Sequence, residues 1–324
     1  MIAYYVHHHG RGHVTRALAV ARHLDQPVVF LSSLPEPDGL RADDRWVRLP
    51  LDVDDDANPR DVTANGRLHW APLRVEGLAD RARTILEALA ETAVHRVVVD
   101  CSVEVTLLSR LAGYPVTVVA QPGDRLDDAH RLGYDVADQI VAPWSDDVYE
   151  PSWLSPHRGR THYVGAISRF EGRARPAGGP RHLGILLAGA GGCELPPDAI
   201  DQLRCAAPDL DWRAVGGPSA WVDDVWPLLS SADVIVTHAG QGALADVALS
   251  GAGAVVIAQD RPFREQHCAA TSLELSGIAV APREWPRPDR WPAVIERARA
   301  LDRRRWDLTR VRGAGARAAE LIAA

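Results

Sequence analysis

The chain has 324 residues, 46% hydrophobic and 24% charged, which gives ample core material and none of the polar bias of a disordered chain. That length suits two α/β domains of about 150 residues each better than one. Lys and Arg total 36 against 43 Asp and Glu, a net charge of −7, which excludes a general nucleic-acid binder and a large positive field for anionic membranes.

The first apolar run, residues 2–6, reads as a buried strand without a basic leader. No apolar stretch approaches the ~20 residues that span a bilayer, so the chain is expected to be cytoplasmic with no integral membrane segment. Short Val- and Ile-rich runs follow at 28–31, 97–99, 116–120 and 139–142. Between them lie helical faces, one made by Val14, Ala17, Leu18, Ala21 and Leu24, another by Ile85, Leu86 and Leu89. Buried strands alternating with helices predict an α/β doubly wound sheet. The periodicity lapses in the Gly-, Pro- and Arg-rich segment 168–180, read as a linker between domains 1–167 and 181–324. Strands resume at 182–188, 212–215, 234–237 and 254–258, with a helix over 244–249. The tail 290–324 has helical composition with Gly313 and Gly315 as breaks, and its last helix is expected to pack back on the N-terminal domain. Cys101, Cys193, Cys205 and Cys268 form no Cys-x-x-Cys pair and are expected to be buried thiols.

Gly10 and Gly12 sit between the first strand and the first helix, where glycine permits a tight turn and close approach to a ligand. The third glycine and acidic ribose partner of a dinucleotide site are missing, which disfavours nicotinamide. His13 falls in the first helical turn, where the dipole favours a neutral, proton-accepting imidazole; capping of the turn is the competing role. Arg16, one turn on, either meets an anionic donor or acceptor or is a surface arginine. Asp100 ends a strand at the carboxyl edge where open α/β sheets place ligands, and either orients His13 or caps the next helix in competition with Ser102. His7 and His8 alternate along a strand end without a complementary ligand set, and Asp52 and Asp54 lie in an acidic loop read as solvated, so no metal is expected.

In the second half, Gly189 and Gly191 follow a strand and make a turn suited to phosphate. The stretch 232–246 is more informative: a strand, then His238, Gly240, Gln241 and Gly242 in a turn, then a helix bearing Asp246. Backbone N–H groups of 240–243 can face phosphate oxygens with a helix dipole behind them. Asp246 stands where a carboxylate accepts from ribose hydroxyls, its alternative being a solvated helix position. After the next strand, Glu265 and Gln266 can bind sugar hydroxyls, and Arg261 or Arg264 a phosphate.

These motifs resemble the GT-B glycosyltransferases, particularly the MurG-like family 28, over both halves of the chain. The first glycine loop ending in His13 and the region from Trp221 through Ala232, His238 and Gly240 to Glu265 and Gln266 carry the likeness. The resemblance implies two Rossmann-like domains facing a central cleft, with Val222 at the nucleobase, Gly240 to Gly242 at the diphosphate, Asp246 at the ribose and Glu265 and Gln266 at the donor sugar. His13 and Asp100 resemble the His and Asp pair of the related family 1. The chain departs from family 28 in having Asp246 where Glu is common and Ala269 where Asn is common. The expected activity is inverting, metal-independent sugar transfer from a nucleotide diphosphate sugar, UDP before TDP, with no further cofactor. The acceptor is a small molecule or glycolipid, the small molecule preferred. A nucleotide-sugar 2-epimerase or hydrolase, or a non-catalytic nucleotide-sugar-binding subunit, are the competing readings.

Overall fold

The computed structural model describes residues 1–53, 59–174, 182–189, 194–217 and 222–324. The N-terminal half builds β1 (Ile2–Tyr5), α1 (Gly12–Ala21), β2 (Val28–Ser32), β3 (Arg45–Arg48), α2 (Glu76–Glu91), β4 (Arg96–Asp100), α3 (Val103–Leu111), β5 (Val116–Val119), α4 (Asp128–Val136), β6 (Gln139–Ala142) and β7 (Thr161–Tyr163). The C-terminal half builds β8 (Leu183–Leu187), α5 (Ala199–Ala206), β9 (Asp211–Val215), α6 (Trp226–Ser231), β10 (Val234–Thr237), α7 (Gln241–Ser250), β11 (Gly253–Val256), α8 (Glu265–Leu275), α9 (Trp291–Ala300) and α10 (Ala314–Ala323).

Two parallel sheets result, ordered β3-β2-β1-β4-β5-β6-β7 and β11-β10-β8-β9. Each is covered on both faces, which is why its strands read as continuous apolar runs. In the first sheet Ala3, Tyr5, Val97 and Val99 join one buried cluster while Ile2, Tyr4 and Val98 join the other. The second sheet divides likewise, Ile235 and Val256 to one side and Val234 and Val255 to the other. Strand order reverses between β1 and β4 in one sheet and between β8 and β10 in the other. Ligands of open α/β sheets bind at such switch points, beyond the strands' carboxyl ends.

α10 packs its Ala314, Ala318, Ala319 and Ile322 into the cluster of Val14, Ala17 and Val20 on the N-terminal half. The two chain crossings between halves lie side by side: Ala166 N–H donates to Thr309 O at 3.0 Å, and Arg317 donates to Val164 O from Nε at 2.9 Å and Nη2 at 2.7 Å. Gly313 takes φ +76 ahead of α10. Gly315 is no break: it lies inside α10, and a Cβ there would stand 3.1 Å from Ala19 O and 3.0 Å from the His23 ring, so glycine lets α10 approach α1.

Two expectations need correction. Leu86 points away from the face of Ile85 and Leu89 and is exposed, being one residue, or about 100°, out of phase. The thiols are not uniformly buried: Cys205 is exposed on the outer side of α5, whose inner side is Ala199 and Leu203, and Cys101 and Cys268 are half-buried, while Cys193 lies outside the described residues. Among the described residues no helix is long and apolar enough to cross a membrane.

Candidate active site

The carboxyl ends of both sheets face a common cleft of about 1710 Å³, lined from one half by Tyr5, His13 and Gln121 and from the other by Gly189, Gly216, Gly240 and Gln259. That exceeds the roughly 300–1,000 Å³ of a single small-ligand site, leaving room for two ligands end to end. The halves touch across it. Asp124 N–H donates to Phe263 O at 2.7 Å, Arg125 stands 3.5 Å from Glu265, and Arg16 Nη1 donates to Gln241 Oε1 at 2.8 Å.

On the first side, β1 delivers the glycine turn and β4 its neighbour delivers Asp100. Gly10 takes φ +79, a conformation that favours glycine, and turns the chain into α1, whose first residue is Gly12. His13 thereby lies over the end of β4, with Nδ1 2.9 Å from Asp100 Oδ1. Asp100 is fully buried. Burial alone would push its carboxyl up, but the Arg16 guanidinium, then His13, outweigh it and hold it down at about 2. The charged carboxylate therefore accepts in this contact, which places N–H on Nδ1 of His13 and leaves Nε2 as the ring nitrogen with a free lone pair. Ser102, not Asp100, caps α3, accepting from Val105 N–H. Around His13 stand His7, with ring centroids 5.5 Å apart, and beyond it His8 and His9. His7 is pushed down to about 3, first by burial and then by the neighbouring imidazoles, so it is neutral.

Arg16 does not present its charge to a free anion. Its guanidinium is buried, with Nη2 2.6 Å from Asp100 Oδ1 and Nε 3.2 Å from Oδ2, because a buried carboxylate at that depth needs a counter-ion. Gln121 adds a third partner, Nε2 to Asp100 Oδ1 at 3.2 Å. Sequence reasoning passed over Gln121 and Arg125, although both follow a predicted strand at its carboxyl end, the rule that singled out Asp100.

On the second side, β10 runs into His238 and the start of α7. A Cβ built at Gly240 or Gly242 meets no protein atom within 4 Å, so these positions border open space in the cleft. His238 is buried, pushed down to about 4 by burial and then by Arg261, and its Nε2 accepts from Gly189 N–H at 3.4 Å, joining the two switch-point loops. Gly191 lies outside the described residues, as does Asp54. Gln266 Oε1 accepts from Ala239 N–H at 3.2 Å and Gln259 N–H at 3.0 Å, so its carbonyl braces the loops after β10 and β11. Val222 and Glu265 line the cleft.

Two further placements depart from the sequence reading. Asp246 lines the cleft but is buried and engaged: it accepts from Ser168 Oγ at 2.7 Å and Arg169 Nε at 3.2 Å, and burial, against the pull of Arg169, pushes its carboxyl up to about 6. The 168–174 part of the expected linker is thus packed structure, with Phe170 in the second half's core. Arg264 is 71% exposed and pairs with Asp124 at 3.5 Å outside the cleft lining, because Phe263 and Arg264 both take left-handed backbone (φ 58 and 53) and turn its side chain outward. Arg261 lines the cleft in its stead.

Among the described residues two groups have metal-like spacing, and neither is a good cation site. His13, Asp100 and Cys101 bring ligand atoms within 4.8 Å, yet Arg16 already neutralises Asp100 and burial pushes the Cys101 thiol up. In His69, Asp127 and His130, the His130 Nε2 lies 3.0 Å from Arg125 Nη1 and accepts from it, so Nδ1 carries the proton it gives Asp127 at 2.5 Å.

No protein-family model matches the chain, and no curated protein sequence matches it. Solved structures resemble it along its whole length. The glycotransferase of kitacinnamycin is 18% identical with a TM-score of 0.67, over 99% of this chain and 98% of that one. LpCGTa, solved in complex with UDP, is 15% identical with a TM-score of 0.64, over 98% and 94%. MurG of Acinetobacter baumannii is 17% identical with a TM-score of 0.61, over 99% and 99%. The fold is therefore that of the GT-B glycosyltransferases, two Rossmann-like domains about a central cleft.

Proposed function

We propose that the chain is an inverting, metal-independent glycosyltransferase that moves a sugar from a nucleotide diphosphate donor, UDP before TDP, to a small-molecule acceptor. The observation that carries this reading is the buried Asp100 held against His13 Nδ1 on one wall of a cleft whose opposite wall is the open N-terminus of α7. In this scheme His13 Nε2 takes the acceptor hydroxyl proton as the acceptor oxygen bonds to the anomeric carbon. The bond from that carbon to the diphosphate oxygen breaks on the opposite face, and its electron pair leaves with the diphosphate. Attack opposite the leaving group inverts the centre. The α7 N-terminus and the amides of 240–243 stabilise the departing charge, so the scheme assigns no step to a cation. Asp246, although engaged by Ser168 and Arg169, lines the same cleft and keeps the ribose role in this scheme, and UDP bound to the similar LpCGTa supports the choice of base. Leu68, Trp70, Leu78 and Leu108 line the first half's side of the cleft and favour an acceptor with an apolar body.

Incubation with UDP- and TDP-sugars and a panel of apolar hydroxyl acceptors tests this by product mass and by the anomeric coupling in proton NMR. Sugar transfer with inversion is expected. Diphosphate release that is indifferent to every acceptor would instead mark a hydrolase or epimerase, and donor binding with no turnover a binding subunit.

A further inference from the structure

The guanidinium of Arg16 sits where three parts of the site meet. Two of its nitrogens hold both oxygens of Asp100, at 2.6 and 3.2 Å, and Nη2 also stands 3.2 Å from His13 Nδ1. The third nitrogen, Nη1, crosses the cleft to Gln241 Oε1 at 2.8 Å, the first residue of α7. A lysine has no such fork and could not span these partners at once.

We infer that Arg16 is a positioning residue that opposes the pull of Asp100 on the His13 ring and ties the His13 and Asp100 pair to the donor-side helix. The inference rests on the transferase reading for its consequence but not for its geometry. A lone Asp100 carboxylate would favour the imidazolium form of His13. A fixed cation on that carboxylate, and 3.2 Å from the ring nitrogen itself, opposes that bias. The other groups facing the pair bring no second carboxylate into contact with it: Tyr4 of β1 is fully buried with its hydroxyl pushed up by burial, His7 is neutral, and His8, pushed down by burial, stands behind His7 and His9 with Asp52 at 3.6 Å on its far side. Cys101 beyond β4 is a thiol rather than a thiolate, and Gln121 beyond β5 carries no charge. The arm to Gln241 adds the second effect, since α1 and α7 then share one rigid link across the cleft.

The test separates this from the transfer reaction by following the His13 ring directly. Nitrogen-15 NMR of the histidine-labelled chain, with His13 assigned from an H13Q spectrum, is compared between parent and R16Q. The ring of His13 is expected to take up its proton at a pH higher by about one unit in R16Q, the size of removing one adjacent charge. If the titration does not move in folded R16Q, the inference fails whatever the protein catalyses. Should R16Q not fold, D100N and R16Q/D100N carry the same comparison, with His13 titrating higher in the double variant. The cross-cleft arm is read from donor KM: Q241L raises it about tenfold, and R16Q/Q241L raises it no further than R16Q alone. Additive effects in that cycle would overturn the link, because Gln241 would then be acting on the donor independently of Arg16.

Discussion

Asp100→Asn removes a buried charge whose partner stays behind, and the cost can be worked from the site. Asp100 is depressed from an ordinary 3.8 to about 2, so its ionised form stabilises the fold above the ordinary value and that stability is lost as pH falls through about 2. At about 1.4 kcal/mol per unit the shift corresponds to about 2.5 kcal/mol at neutral pH, already net of the burial that opposes it. The variant also leaves Arg16 buried without its counter-ion, which brings the expected loss to about 3–5 kcal/mol. R16Q/D100N removes both charges and should cost clearly less than the two single losses added together, a coupling of about 2 kcal/mol or more. Urea unfolding of the four proteins at neutral pH, read as midpoint and slope, measures this cycle. A loss below about 1 kcal/mol in D100N, or losses that simply add, would refute the view that the pair is one buried electrostatic unit.

Other outcomes follow from the same geometry. His13→Ala should lower turnover by about 10²–10⁴-fold while calorimetric donor affinity stays within a small factor; a variant that turns over at the parental rate removes His13 as the base. Gly242→Val places a side chain in open space at the start of α7, so donor affinity should fall at least about tenfold with the melting temperature nearly unchanged, and unchanged affinity would put the diphosphate elsewhere. Asp246 is raised from 3.8 to about 6, so the folded state binds its proton more tightly and stability drops as pH rises through about 6, by roughly 3 kcal/mol. Asp246→Asn should lack that drop, and its stability difference from the parent should shift in its favour between about pH 4 and pH 7; a difference independent of pH sinks the assignment.

Strands buried on both faces were legible because their Val and Ile runs need no partner to be recognised: β10 falls where the 234–237 run puts it. β3 and β7 were not. They are the two edges of the first sheet, and Arg45 and Arg48 face solvent while Thr161, His162 and Tyr163 are half-buried, so no continuous apolar run marks them. The pairing of His13 with Asp100 was legible only as one of two roles for Asp100, orienting His13 or capping the next helix, because strand ends meeting at a switch point bring such residues close without choosing the partner. The partners of Arg16 and Asp246 were not legible, because Arg16 lies 84 residues from Asp100 and 225 from Gln241, and Asp246 lies 78 residues from Ser168. Which charge meets which across such separations is set by packing and not by spacing. Arg264 was misread for a different reason: the left-handed turn at Phe263 and Arg264 is made by residues that give no glycine signal for it.

The central claim is that the cleft holds a nucleotide diphosphate sugar between the α7 N-terminus and His13. A crystal structure of the chain with an unhydrolysable UDP-sugar analogue tests it most directly. The expected density has diphosphate oxygens on the amides of 240–243 and the anomeric carbon on the side of His13 Nε2. Density that leaves the α7 N-terminus empty, or that turns the anomeric carbon away from His13, would contradict the account.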